Sequence, residues 1–272
     1  MEHVALQGAE VPALGLGTWE LSGAACRDAV ETALDAGYRH IDTAQSYRNE
    51  QAVGEGIDAA DVDREDVFLV TKVLPTDAGA EAFEAAVERS LDRLQTSYVD
   101  LALLHWPSPL TSFQSTANGM AAVVDRGLAR HVGVSNFRKR RLERARAVSP
   151  VPLLADQVQF HPYYTQRSLL NYCQQEDVLL TAYSPLARGE VLNDDALQTV
   201  GERYGKSAAQ VALRWATQHR NVATIPRSSS RTHIEANIDI FDFKLDRTEI
   251  DRITQPSYLK TGLAWARSAL DL

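Results

Sequence analysis

The feature that most constrains this chain is an alternation. Short runs rich in β-forming residues are separated by longer amphipathic stretches along its 272 residues. The β-type runs are Ala13–Gly17, Tyr38–Asp42, Val67–Lys72, Val99–His105, Ala129–Ser135, Leu154–Gln159, Val178–Tyr183 and Asn221–Pro226. Between them, runs such as Ala25–Ala36 and Ala80–Leu94 carry apolar residues at helical spacing. Strands that alternate with helices read as parallel βαβ units, since parallel neighbours need a crossover. Eight units predict an α/β fold closed into a (β/α)8 TIM barrel, which takes about 250 residues. Val4-Ala5-Leu6, Gly8-Ala9-Glu10 and Val11-Pro12-Ala13 predict a small N-terminal hairpin that caps the barrel bottom. No low-complexity linker divides the chain, so residues 1–272 are expected to form one domain.

Composition narrows the partners. Hydrophobic residues make up 44%, enough for a sizeable core, and the net charge is −8. The basic run Arg138-Lys139-Arg140-Arg141 opens a helical segment and reads as a solvated helix face, so no nucleic-acid partner is expected. No long apolar segment or secretion signal is seen, so no membrane partner and a cytoplasmic location are expected. The two cysteines, Cys26 and Cys173, offer no disulfide framework or metal spacing; buried thiols in a reducing compartment are expected. Arginine outnumbers lysine 23 to 5 and aspartate outnumbers glutamate 20 to 16. A GC-rich genome and a salt-adapted surface both account for that bias.

The polar residues that interrupt the β-type runs share one place. Asp42, Lys72, His105, Ser135, Gln157 and Tyr183 lie in or at the C-terminal ends of predicted strands, where a barrel carries its active site. Asp42 is followed five residues later by Tyr47. A buried lysine needs a partner, so Lys72 is expected to pair with Asp42. An ammonium beside a phenol favours phenolate, so Lys72 is expected to lower the Tyr47 pKa from about 10. A histidine alongside can orient a carbonyl oxygen. The four residues suit proton delivery to an oxygen becoming an alkoxide, with hydride supplied by a nicotinamide cofactor. Other chemistries lack their motifs. Glu20 stands where a third glycine would complete a fingerprint begun by Gly15-Leu16-Gly17, which reads as a tight turn. Phe137 replaces the last glycine of a nucleophile elbow at Gly133–Phe137. His40 and His161 lack ligand-spaced partners, so structural roles and no metal are expected.

Gly15-Leu16-Gly17-Thr18-Trp19, Gly37-Tyr38-Arg39-His40-Ile41-Asp42-Thr43-Ala44, Tyr47-Arg48-Asn49-Glu50, Gly133-Val134-Ser135-Asn136-Phe137, Gln157-Val158-Gln159-Phe160-His161-Pro162 and Ala182-Tyr183-Ser184-Pro185-Leu186 resemble successive signatures of the aldo-keto reductases. The resemblance covers nearly the whole chain, closest to the short bacterial-type 2,5-diketo-D-gluconate and methylglyoxal reductase members. It implies a catalytic tetrad of Asp42, Tyr47, Lys72 and His105, with Tyr47 as general acid. It implies a cofactor held by Ser135, Asn136 and Gln157 at the carboxamide and by Tyr183 stacked on the nicotinamide. Ser184 and Leu186 would follow the pyrophosphate, Gly17 and Thr18 would lie near the nicotinamide ribose, and Asp42 would also contact the cofactor.

For the adenosine end the resemblance implies Arg227, Ser228, His233 and Asn237. Arg227 stands where a lysine is usual and His233 where an arginine is usual, so NADPH is expected with NADH possible. Trp19, Tyr47, His105 and Trp106 would line the substrate pocket, open to small aldehydes and keto-sugar acids. Arg48 and Arg188 are weak candidates for a substrate carboxylate, and Trp265 in the short tail Tyr258–Leu272 is a candidate cover. The resemblance implies a monomer. Two other readings stand beside the reductase: a cofactor-binding regulatory barrel with little turnover, and an unrelated isomerase or aldolase using Lys72 as a Schiff base.

Overall fold

The computed structural model describes residues 1–254, so Trp265 and the tail lie outside the described residues. A hairpin of β1 (His3–Leu6) and β2 (Ala9–Pro12) comes first, turning at Gln7 and Gly8 with positive φ. Then strands and helices alternate: β3 (Leu16–Gly17), α1 (Gly23–Asp35), β4 (His40–Asp42), α2 (Glu50–Ala59), β5 (Phe68–Val73), α3 (Ala80–Leu94), β6 (Val99–Leu104), α4 (Phe113–Asp125), β7 (Ala129–Ser135), α5 (Lys139–Val148), β8 (Leu153–Gln159), α6 (Arg167–Gln175) and β9 (Leu179–Tyr183). The series ends with α7 (Asp195–Tyr204), α8 (Ala208–Thr217), β10 (Val222–Thr224), α9 (Arg231–Ile238) and α10 (Arg247–Ile253).

Strands β3 to β10 pair in chain order, all parallel. The ring closes between its first and last strands. Gly15 N donates to Thr224 O, Thr224 N to Ala13 O, and Gly17 N to Pro226 O, at 2.8–3.0 Å. Gly15-Leu16-Gly17 is therefore not the tight turn expected of it. It is extended backbone, and neither glycine has positive φ. Gly17 is needed for contact: a Cβ there would meet Ile225 O at 2.7 Å.

The helices bury one stripe each. In α3 the buried residues are Phe83, Ala86, Val87, Ser90, Leu91 and Leu94, the three- and four-residue spacing of one helical face. The basic run at the start of α5 lies mostly in solvent: Arg138, Arg140 and Arg141 are exposed, and Lys139 pairs with Glu143. Inside the barrel a second apolar cluster joins Phe68, Val70, Leu101, Leu103, Leu154, Leu179 and Ala223 to Leu6, Ala9 and Val11 of the hairpin. Gln7 Nε2 donates to Leu153 O at the start of β8 and to Asp177 O just before β9. These anchors put the hairpin at the N-terminal end of the strands, as the sequence predicts. The opposite end is left to the polar strand ends.

Candidate active site

Each polar residue singled out in the sequence sits where a strand of the barrel ends. Asp42 closes β4, and its carboxylate is divided between two donors. Lys72 Nζ reaches Oδ1 at 2.6 Å from β5, and Gln157 Nε2 reaches Oδ2 at 2.6 Å from β8. The Lys72 ammonium also donates to Thr43 O at 2.9 Å and to the Tyr47 hydroxyl at 3.3 Å. Its three protons thus have three acceptors, which makes full burial tolerable. Burial, the largest single influence, would lower the Lys72 pKa; Asp42 and Tyr47 together outweigh it and hold the group above its ordinary value. A charged, enclosed ammonium is no nucleophile, which removes the Schiff-base reading.

Tyr47 ends a 3-10 turn, Gln45–Tyr47, that leaves β4 through Thr43 and Ala44. The turn is pinned from behind. Gln45 Nε2 donates to Ala86 O and Ser90 Oγ of α3, and Leu74 N donates to Gln45 Oε1. Asn49 ties the same segment to the loop after β3, donating to Thr18 O and Leu21 O while accepting from Thr43 Oγ1. Burial pushes the Tyr47 phenol above its ordinary value, and Lys72 opposes that only in part. This is the reverse of the lowering expected from Lys72, because the water removed from the phenolate and the nearby Asp42 charge outweigh the ammonium. Tyr47 therefore keeps its proton at neutral pH.

His105 follows β6. Its ring meets the Tyr47 ring edge-on, with centroids 5.7 Å apart at 80°, and its Nδ1 lies 3.2 Å from Ser46 Oγ. Burial, then the Lys72 charge, lowers its pKa to about 3, so it is a neutral imidazole near pH 7.

A second group adjoins these residues. Ser135 Oγ donates to Gln157 O at 2.8 Å. Asn136, in the left-handed region at φ +63°, donates to His105 O and Ser135 Oγ and accepts from the Tyr183 hydroxyl at 2.9 Å. Half-buried Tyr183, at the end of β9, is thereby held from its hydroxyl end. After β9, Ser184, Ala187, Arg188 and Gly189 all have positive φ. The non-glycine members of such a stretch carry strain, and two of its N–H groups close turns, Ala187 N donating to Ser184 O and Gly189 N to Leu186 O. Leu186, half-buried, sits inside this run.

A third cluster follows β10. Arg227 pairs with Glu20 at 2.9 Å, and Ser228 Oγ accepts from Ser230 N at the cap of α9. On α9, Asn237 is buried and His233 exposed. Half-buried Trp19 lies between Thr18 and Glu20, with the Arg188 guanidinium 5.4 Å from its ring. Trp106, also half-buried, follows His105. Thr18 donates from N and Oγ1 to Asp42 O, tying the loop after β3 to the end of β4. Of the two histidines expected to be structural, His40 bonds Pro12 O through Nδ1 and His161 lies 3.1 Å from Gln159 Nε2. Both cysteines are free, buried thiols. No helix among the described residues is long and apolar enough to cross a membrane.

Sequence reasoning missed Gln45, Asn49, Glu20 and the Gln157–Asp42 bond. Asn49 lies within the Tyr47-Arg48-Asn49-Glu50 signature, but no linear signal points to the other contacts, which join distant segments.

The aldo/keto reductase family model matches residues 13–257, all but the ends of the chain. The chain belongs to the aldo-keto reductase family. A glyoxal reductase of Bacillus subtilis (strain 168) is 41% identical over 247 residues, which are 90% of this chain and 89% of that protein. A 9,11-endoperoxide prostaglandin H2 reductase of Trypanosoma cruzi (strain CL Brener) is 39% identical over 249 residues, covering 90% and 87%. A crystal structure described under the name 2,5-diketo-D-gluconic acid reductase B superposes with a TM-score of 0.91 at 40% identity, covering 93% of this chain and 90% of that one. As an aldo-keto reductase the protein is an oxidoreductase that reduces carbonyl groups, and its family uses nicotinamide cofactors. The family match together with relatives named as reductases over most of the chain favours an enzyme over the regulatory barrel.

Proposed function

We propose that this aldo-keto reductase reduces small aldehydes and keto-acids of the α-dicarbonyl and keto-sugar type to alcohols with NADPH, and that Tyr47 gives the proton. The observation that carries this reading is the Lys72 ammonium, bonded at once to Asp42 Oδ1 and the Tyr47 hydroxyl. A phenol that keeps its proton at neutral pH is an acid in waiting. As it yields that proton to the substrate oxygen, Lys72 stabilises the phenolate left behind. Asp42 helps keep Lys72 charged, and Lys72 and Gln157 each hydrogen-bond one oxygen of the Asp42 carboxylate. Neutral His105 donates a hydrogen bond to the carbonyl oxygen and orients it beside Tyr47. Trp19 and Trp106 supply the apolar walls. The relatives named for glyoxal and diketogluconate support a small dicarbonyl substrate.

The donor set fits a nicotinamide cofactor. Ser135, Asn136 and Gln157 offer amide and hydroxyl groups to a carboxamide, and the tethered Tyr183 ring offers a flat face. Ser184 and Leu186, in the strained stretch after β9, would follow a pyrophosphate; Gly17 and Thr18 would border the ribose, with Asp42 among the cofactor contacts. Arg227 and Ser228 would hold a 2′-phosphate, with His233 and Asn237 beside them. When bound, the cofactor supplies the hydride. Glu20 competes for Arg227, so NADH remains an alternative cofactor. One domain over 1–272, a monomer and a cytoplasmic location complete the proposal; two free buried thiols support a reducing compartment.

The test is turnover of methylglyoxal and 2,5-diketogluconate followed by NADPH absorbance, in wild type and Tyr47→Phe. The variant is expected to bind NADPH normally and lose about 10²- to 10⁴-fold in kcat. Near-normal turnover would remove Tyr47 from its role.

A further inference from the structure

An uncharged imidazole has two nitrogens and one proton, so His105 donates through one and accepts through the other. Its role in orienting a carbonyl oxygen, as read above, requires the donor to face the substrate. The proton must then sit on Nε2, and something must hold it there.

Among the described residues, the His105 ring makes one hydrogen bond, between Nδ1 and Ser46 Oγ at 3.2 Å. The backbone on either side is fixed, with His105 N donating to Val73 O and Asn136 Nδ2 donating to His105 O. The ring also rests edge-on against Tyr47. Ser46 comes from the turn that carries Tyr47, so its place relative to His105 is set by the Gln45 anchors. A serine hydroxyl can donate or accept. If Ser46 accepted, Nδ1 would hold the proton and Nε2 would present a lone pair, which repels a carbonyl oxygen. If Ser46 donates, Nδ1 is the acceptor and Nε2–H is left to the substrate.

We propose that Ser46 is a positioning residue that donates its hydroxyl proton to His105 Nδ1 and thereby keeps His105 in the Nε2–H form that hydrogen-bonds the substrate carbonyl. The proposal rests on the reading of His105 given under the proposed function. It makes the 3-10 turn bifunctional: Tyr47 carries the transferred proton, and the preceding residue sets the tautomer of the group that orients the acceptor. No atom changes owner at Ser46 during turnover. Its contribution is the protonation pattern of a neighbour, the kind of support a second hydrogen bond gives a functional histidine.

The experiment compares wild type, Ser46→Ala and Ser46→Thr in methylglyoxal reduction with NADPH, and reads the His105 tautomer from long-range 1H–15N spectra. His105→Ala identifies the His105 signals by difference and serves as a control. Wild type is expected to show the Nε2–H form. Ser46→Ala should mix the tautomers and lower kcat about three- to tenfold, the loss of one ordinary hydrogen bond. Its NADPH Kd should be unchanged, and Ser46→Thr should restore both tautomer and kcat. The proposal is overturned if wild-type His105 carries its proton on Nδ1, or if Ser46→Ala keeps the wild-type tautomer ratio, whatever happens to kcat. It is equally overturned if kcat is unchanged while the tautomers mix. If His105→Ala itself keeps full turnover, the role of His105 fails and Ser46 with it. If that control loses turnover and Ser46→Ala alters nothing, only the Ser46 assignment fails.

Discussion

Three residues with displaced pKa values set the pH dependence. His105 is held neutral down to about pH 3, and burial keeps the Tyr47 phenol protonated above its ordinary range. The kcat for reduction is therefore expected to stay flat through the usual histidine range near pH 6.5 and fall only in alkali. A pH–rate profile checks this, and an inflection near 6.5 would contradict it. Asp156 is the other case. It is fully buried in β8, with Oδ1 accepting from Phe137 N and Oδ2 lacking a partner in the described residues. Burial raises its pKa well above the ordinary value. The folded state thus holds this proton more tightly than the unfolded chain. The resulting stability is full below the unfolded pKa near 3.9 and is lost as pH rises through the folded value. Asp156→Asn keeps the shape without the charge. It is expected to stabilise the fold, by an amount that grows with pH and reaches about 1–3 kcal/mol, read from thermal melts at pH 5 and 8.

At the scale of elements, the turn Gln45–Tyr47 is too short to define its own geometry. A three-residue 3-10 turn has few internal hydrogen bonds, so its orientation is imposed by what grips it. Gln45 supplies that grip through α3 and Leu74. Gln45→Ala is expected to lower kcat about tenfold or more, because a small displacement of the acid is costly, while NADPH Kd changes little. Steady-state kinetics beside a cofactor titration would check the split. Strand β3 makes the same point about tertiary context. Only two residues long, it is held by β4 on one side and by the segment after β10 on the other.

At the scale of the whole molecule, the barrel separates stability from chemistry by end. The hairpin plugs the N-terminal end with Leu6, Ala9 and Val11, and the polar strand ends gather at the other. Val11 is fully buried, so Val11→Ala should cost about 2 kcal/mol from lost apolar burial and the space left behind. Turnover per folded molecule should remain at the wild-type level. Chemical denaturation and kinetics on one preparation test both halves, and a fall in kcat would mean that the two ends are coupled.

The sequence by itself determined the order of strands and helices, the barrel, and the strand ends from which Asp42, Lys72, His105 and Tyr183 project. These are consequences of periodicity and of polar residues interrupting apolar runs, both local signals. The Lys72–Asp42 pair was legible too, because a buried ammonium has few ways to survive. Only the tertiary structure decided that Asp42 is shared with Gln157, that Glu20 occupies Arg227, that Ser46 meets His105, and that Tyr47 holds its proton more firmly than its neighbouring ammonium suggests. Each depends on distances between remote segments or on how much water packing removes, and neither quantity is written in the spacing of residues along a chain.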